Sequence, residues 1–200
     1  PGIEYAIEKY YICKSKNEEK NNNMTSIISI AILNKNEIEP LHNLVPNDCN
    51  IELNVSCPNV DEEKDKNYKS IVYKELGVFY NNERKWCIVK LSPKDTMNEV
   101  DILYKQGFRQ FHCSNTLPKE DGSGGLSGCV LKPYTSKLVK SIKCKYPNTE
   151  IIAGGGIRTY KDVQWYKDQG ADHFSISTLL FNPILFYMFY VNHRIVNVKK

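Results

Sequence analysis

Six short apolar runs rich in β-branched residues are spaced along the 200-residue chain, and a stretch with helical spacing follows each one. The runs are Ser26–Leu33, Cys49–Val55, Trp86–Leu91, Arg109–Ser114, Glu150–Gly154 and Asp172–Ser177. Between them, Asn36–Leu44 carries apolar residues at 38, 41 and 44, and Tyr68–Tyr80 places Ile71, Val72, Leu76 and Phe79 on one helical face. Asn98–Lys105, Pro133–Lys145 and Lys161–Gln169 repeat the pattern, the last stopped by Gly170. Asn182 and Pro183 open a final helix as N-cap and first-turn proline. Such a beat of strand, loop and helix predicts a parallel sheet, either doubly wound or closed as a barrel. Tyr5–Tyr11 reads as the tail of a further helix, and the polar patches Asn17–Asn23 and Asp61–Asn67 read as solvated loops.

Counting separates the two architectures. A chain of this length, 41% hydrophobic, can bury one core, so a single domain over residues 1–200 is expected. An eight-stranded βα barrel takes roughly 250 residues, and the shortfall here is about two βα units on the N-terminal side. Ala153-Gly154-Gly155-Gly156-Ile157 ends the fifth run, and Ser177-Thr178 ends the sixth. Bare backbone at one loop and a hydroxyl pair at the next suit a phosphate, because uncovered N–H groups can close around its oxygens. A barrel's phosphate site lies after its seventh and eighth strands, and the two segments fall there if the visible strands are three to eight. The expected fold is α/β, a (β/α)8 TIM barrel lacking about its first two βα units.

Chemistry concentrates on the loops that leave the strands. Asn54-Val55-Ser56-Cys57-Pro58-Asn59 follows the second run, so a thiol sits on a turn-forming loop with an amide on either side. A net charge of +4, with both signs interleaved, gives no case for nucleic acid. The seven cysteines form no Cys-x-x-Cys pair, which argues against a structural metal or a disulfide framework and for a reducing, cytoplasmic setting. Leu179–Val191 is interrupted by Asn182 and Pro183 and is too short for a bilayer span. Its apolar final helix, Ile184–Val191, is better covered by a core or a subunit interface, a homodimer being one such arrangement.

The chain resembles the dihydroorotate dehydrogenase family of flavin-dependent barrels. The resemblance runs from Gly2 to Pro183, through Asn54–Asn59, Val89-Lys90-Leu91-Ser92-Pro93, Ser114-Asn115-Thr116, Gly124-Gly125-Leu126-Ser127-Gly128, Lys132-Pro133 and Gly154-Gly155-Gly156-Ile157. It implies FMN at the mouth of the barrel with a dihydropyrimidine stacked on it, and a soluble, cysteine-bearing class of enzyme. By the same resemblance Cys57 is the catalytic base, and Lys90 stands beside the flavin ring. Asn54, Ser114, Gly128, Gly155, Gly156, Ser177 and Thr178 contact the cofactor, its phosphate being held by the last four. Asn54, Asn59, Asn115 and Thr116 bind the pyrimidine.

Those residue types suit the chemistry. Desaturating a C–C bond removes a proton from one carbon and a hydride from its neighbour, and a thiolate can take the proton. A fixed cation stabilises the charge of a reduced flavin. Amides both donate and accept, as a ring bearing C=O and N–H groups requires. Each also has a plain structural reading: Cys57 as a small buried hydrophobe, Lys90 as a strand-end charge in solvent or a buried cation with a partner, the asparagines as turn formers, and Gly122–Gly128 as a linker. Two functions follow: oxidation of dihydroorotate, or of another dihydropyrimidine by the same barrel group, and a non-catalytic remnant that serves as a binding module.

Overall fold

The computed structural model describes residues 2–55, 68–119 and 123–198. The chain divides into two compact units, residues 1–90 with 99–110, and residues 91–98 with 111–200.

The first unit opens with α1 (Ile3–Glu19) and then sets β1 (Ile28–Ala31), β2 (Ile51–Asn54) and β3 (Cys87–Leu91) side by side in parallel. Between β1 and β2 runs a short 3-10 turn, Lys35–Glu37, continuing into α2 (Ile38–Leu44). Between β2 and β3 runs α3 (Tyr68–Glu75), which tightens into the 3-10 turn Leu76–Phe79. Most of α4 (Met97–Lys105) belongs to this unit too. Alternation along the strands decides what each face meets. Ile28, Ile30, Ile51, Leu53 and Val89 form one buried face, where helix residues such as Val72, Leu76 and Leu103 are buried as well. The other face is polar: one row holds Ser29, Glu52 and Ile88, and the next holds Ala31, Asn54 and Lys90.

The second unit orders β4 (Gln110–Cys113), β7 (Glu150–Gly154) and β8 (His173–Ser175) across its sheet, with β7 and β8 parallel. Between β4 and β7 comes a two-residue-per-strand antiparallel hairpin, β5 (Leu117–Pro118) and β6 (Gly125–Leu126), followed by α5 (Lys132–Lys145). The helix α6 (Tyr160–Asp168) joins β7 to β8, and α7 (Pro183–Val198) closes the described chain. On α5, Thr135, Leu138, Val139 and Ile142 are buried, the spacing of one helical face. At the strand starts, Asp172 accepts from Ile151 N at 2.8 Å and pairs with Lys143 at 2.9 Å.

The expected strands and helices are all present within a few residues. Two features depart. Asn17–Glu19, read as loop, is the last turn of α1, where the Asn17 amide donates to Met24 O at 3.1 Å and draws the following loop back over the helix end. The Leu117–Leu126 segment forms a hairpin that no periodicity announces. Asn182 does cap α7, its side chain accepting from Leu185 N at 3.1 Å. That helix leaves Ile184, Tyr187 and Met188 exposed, next to Phe181 at 88%. Among the described residues no helix is long and apolar enough to cross a membrane.

Candidate functional site

In the first unit the polar face of the sheet carries the candidate residues. Asn54 ends β2 directly beside Lys90 of β3. Lys90 is not a solvent-facing strand end: its side chain is only 21% exposed, and its Nζ lies 3.5 Å from Glu52 Oε1. Glu52, 12% exposed, also accepts the Ser29 hydroxyl at 3.0 Å. A cation is thus fixed on the sheet by a carboxylate two residues before Asn54. Cys57 and Asn59 lie outside the described residues.

In the second unit the loops after β4, β7 and β8 carry the rest. Asn115 and Ser114 are buried, and Asn115 N donates to Leu91 O at 2.9 Å, a bond within the second unit that fixes this loop. The Asn115 side-chain oxygen accepts from Thr116 N at 2.9 Å, fixing the turn. Behind Ser114 runs a chain of buried hydroxyls. Thr135 donates to Gly154 O at 3.0 Å, and since it has one proton, Ser114 is the donor in their 3.0 Å contact. Ser114 is therefore left with lone pairs to offer a ligand's N–H. Tyr166 completes the set, donating to Gly155 O at 2.7 Å; burial pushes its phenol up to about 12.

The glycines have two different reasons. Gly156 sits at φ 70, and a Cβ there would come 2.8 Å from Cys129 Cα, so the 129–132 segment can lie on this loop only if it is bare. Gly128 sits at φ 87, yet an added Cβ would meet no atom within 4 Å. Its bare backbone borders open space that a ligand can enter. Ser177 and Thr178 are exposed after β8. The 129–132 segment is pinned further by Lys132, which pairs with Asp162 at the start of α6. Asp162 also accepts from the N–H groups of Arg158 and Thr159 at 3.0 and 2.8 Å. Burial alone would raise its carboxyl, but Lys132 and these donors outweigh it and hold it down at about 2.

A sequence profile of the family described as Dihydroorotate dehydrogenase matches residues 1–188. The chain belongs to the dihydroorotate dehydrogenase family. Among curated relatives, the dihydroorotate dehydrogenase B (NAD(+)) catalytic subunit of Thermotoga petrophila is 31% identical over 144 residues, 66% of this chain and 53% of that protein. The subunit of the same name from Bacteroides thetaiotaomicron is 27% identical, over 90% of this chain and 64% of its own length. A solved DHODH of Eimeria tenella, in complex with ferulenol, superposes with a TM-score of 0.56 at 20% identity, covering 74% of this chain and 49% of that one. The chain spans about half the length of the curated relatives it matches first. The fold is that of the family's α/β barrel, with six of the eight strands among the described residues.

Four residues of these clusters escape the motif reading: Glu52, Thr135, Tyr166 and Asp162. Two of them left a signal. Glu52 shares the period-two face of Asn54, and Thr135 shares the helical face of Leu138 and Ile142.

Proposed function

We propose that this chain, as one barrel domain, supplies the cofactor and substrate residues of an FMN-dependent enzyme that oxidises dihydroorotate to orotate in pyrimidine biosynthesis. The observation that carries the reading is Lys90, a cation held by Glu52 beside Asn54 on the polar face of the sheet. The residues fit a flavin in kind: an open, bare backbone at Gly128, exposed hydroxyls at Ser177 and Thr178, and a fixed cation. Together with Asn54, Ser114, Gly155 and Gly156 they would hold it.

FMN, when bound, accepts the hydride. Cys57, three residues after Asn54 in the sequence, takes the proton from the neighbouring carbon. Burial pushes the thiols of Cys87 and Cys113 up, so at neutral pH both stay protonated and neither competes as a base. Asn54, Asn59, Asn115 and Thr116 orient the pyrimidine, Asn115 from a turn already fixed by Thr116 N. Ser114 presents lone pairs because its proton is committed to Thr135. A fixed array of this kind lowers the reorganisation needed at the moment of reaction.

The curated relatives are named as catalytic subunits of NAD(+) enzymes, which supports a protein partner for this chain as well. The exposed apolar face of α7 is the surface for such a contact or for a homodimer, and the setting is cytoplasmic. The test is to reconstitute the purified protein with FMN and add dihydroorotate without oxygen. Bleaching of the flavin with formation of orotate supports the reading. A protein that takes up FMN and is bleached only by another dihydropyrimidine reassigns the substrate, and one that takes up no FMN is a binding module.

A further inference from the structure

The motif that names Asn54 and Cys57 starts two residues too late to include Glu52, and nothing in the family resemblance gives this carboxylate a role. It lies one row before Asn54 on the same face of β2, facing Ser29 on β1 and Ile88 on β3. Its Oε1 receives two donors, the Ser29 hydroxyl at 3.0 Å and the Lys90 ammonium at 3.5 Å. Both charged side chains are largely withdrawn from solvent, at 12% and 21% exposure, so water screens their fields weakly. Holding a lysine on a strand needs only a hydrogen-bond acceptor, and an amide would serve. A full negative charge does something more: it cancels part of the lysine's positive field.

We propose that Glu52 is a positioning residue that sets the effective charge of Lys90, and through it the reduction potential of the bound flavin. The inference rests on the reading that Lys90 faces the flavin. An unopposed ammonium stabilises the negative charge that arrives with the electrons and raises the potential. A flavin that must hand those electrons on to a further acceptor is hindered if it is over-stabilised in the reduced state. Glu52 keeps the ammonium in place and weakens its hold. Ser29, by donating to the same oxygen, holds the carboxylate aimed along the sheet.

The sign of the effect separates this role from mere support. In Glu52→Gln the amide oxygen can still accept from Ser29 and Lys90, while the negative charge is gone. The ratio of affinities for reduced over oxidised FMN should rise about tenfold, an upward shift of ~30 mV for a two-electron couple. FMN content should be unchanged. Lys90→Met should move the potential the opposite way. Glu52→Asp, which keeps the charge but draws it back from Lys90, should give a smaller upward shift and covers the case in which the glutamine variant folds poorly. The experiment is equilibrium photoreduction of the FMN-loaded protein against a reference dye. A Glu52→Gln potential that stays put or falls overturns the inference. A Lys90→Met potential equal to the parent's overturns instead the placement of Lys90 at the flavin, and the inference falls with it.

Discussion

Replacing Thr135 by valine should destabilise the protein out of proportion to the one oxygen removed. Valine keeps the branched shape, so the core packing of α5 survives and the loss is purely polar. Thr135 is fully buried, and its hydroxyl serves two partners at 3.0 Å each, Gly154 O and Ser114 Oγ. Gly154 O keeps a weaker partner in Tyr166 at 3.4 Å. Ser114, at 6% exposure, is left with a proton whose acceptor has gone. An unsatisfied buried polar group costs about 1–3 kcal/mol, so we expect Thr135→Val to lose about 2 kcal/mol. For a chain of this length each kcal/mol moves Tm by about 2–4 °C, giving a fall of about 4–8 °C. Urea denaturation followed by circular dichroism measures the loss directly, with an unchanged m-value showing that the unfolded state is the same. The double variant Ser114→Ala with Thr135→Val should cost less than the two singles together, by about 1 kcal/mol, because the alanine removes the stranded proton. A valine variant within about 0.5 kcal/mol of the parent, or strict additivity in the cycle, would refute the hydroxyl chain.

Asp162, held down at about 2, contributes stability that is fully present above its ordinary value near 3.8 and is lost as pH falls through about 2. Asp162→Asn should therefore flatten the acid limb of the stability–pH curve and cost about 1–2 kcal/mol at pH 7, read by chemical denaturation across pH. Gly156→Ala must hold φ 70 and push Cys129 away, so it should lose about 1–3 kcal/mol and weaken FMN uptake together. Lys90→Ala should weaken FMN binding in a fluorescence titration while Lys94→Ala, at an exposed position in the next turn, should not. Equal effects at both would mean only a general loss of positive potential.

The parts of the fold legible in the sequence are those with a strong period. The parallel strands read clearly because residues such as Ile51, Leu53 and Val89 are buried on a face shared with helices. The helices α5 and α6 read clearly because their apolar residues recur at helical spacing, α5 opening on Pro133 and α6 running up to Gly170. The hairpin β5–β6 was silent: two residues per strand carry no period, and the glycines around it suit a linker equally well. The end of α1 departs from the loop that Asn17, Glu18 and Glu19 suggest by composition, because the side-chain tether to Met24 is invisible in one dimension. At the site, the sequence pointed to the residues that end strands, Asn54, Lys90, Ser114 and Asn115. It passed over those that stand behind them, because a glutamate in a strand and a threonine in a helix are ordinary until their partners are known. Glu52 and Thr135 acquire meaning only from residues 38 and 19 positions away, Lys90 and Gly154.

The central claim, a thiol base working beside a bound flavin, is tested most directly by stopped-flow reduction of the FMN-loaded protein by dihydroorotate without oxygen, in the parent and in Cys57→Ala. The parent flavin should bleach, and the alanine variant should retain FMN but bleach more slowly by about 10²–10⁴, the usual contribution of a positioned base. Bleaching of the Cys57→Ala protein at the parent rate would contradict the account.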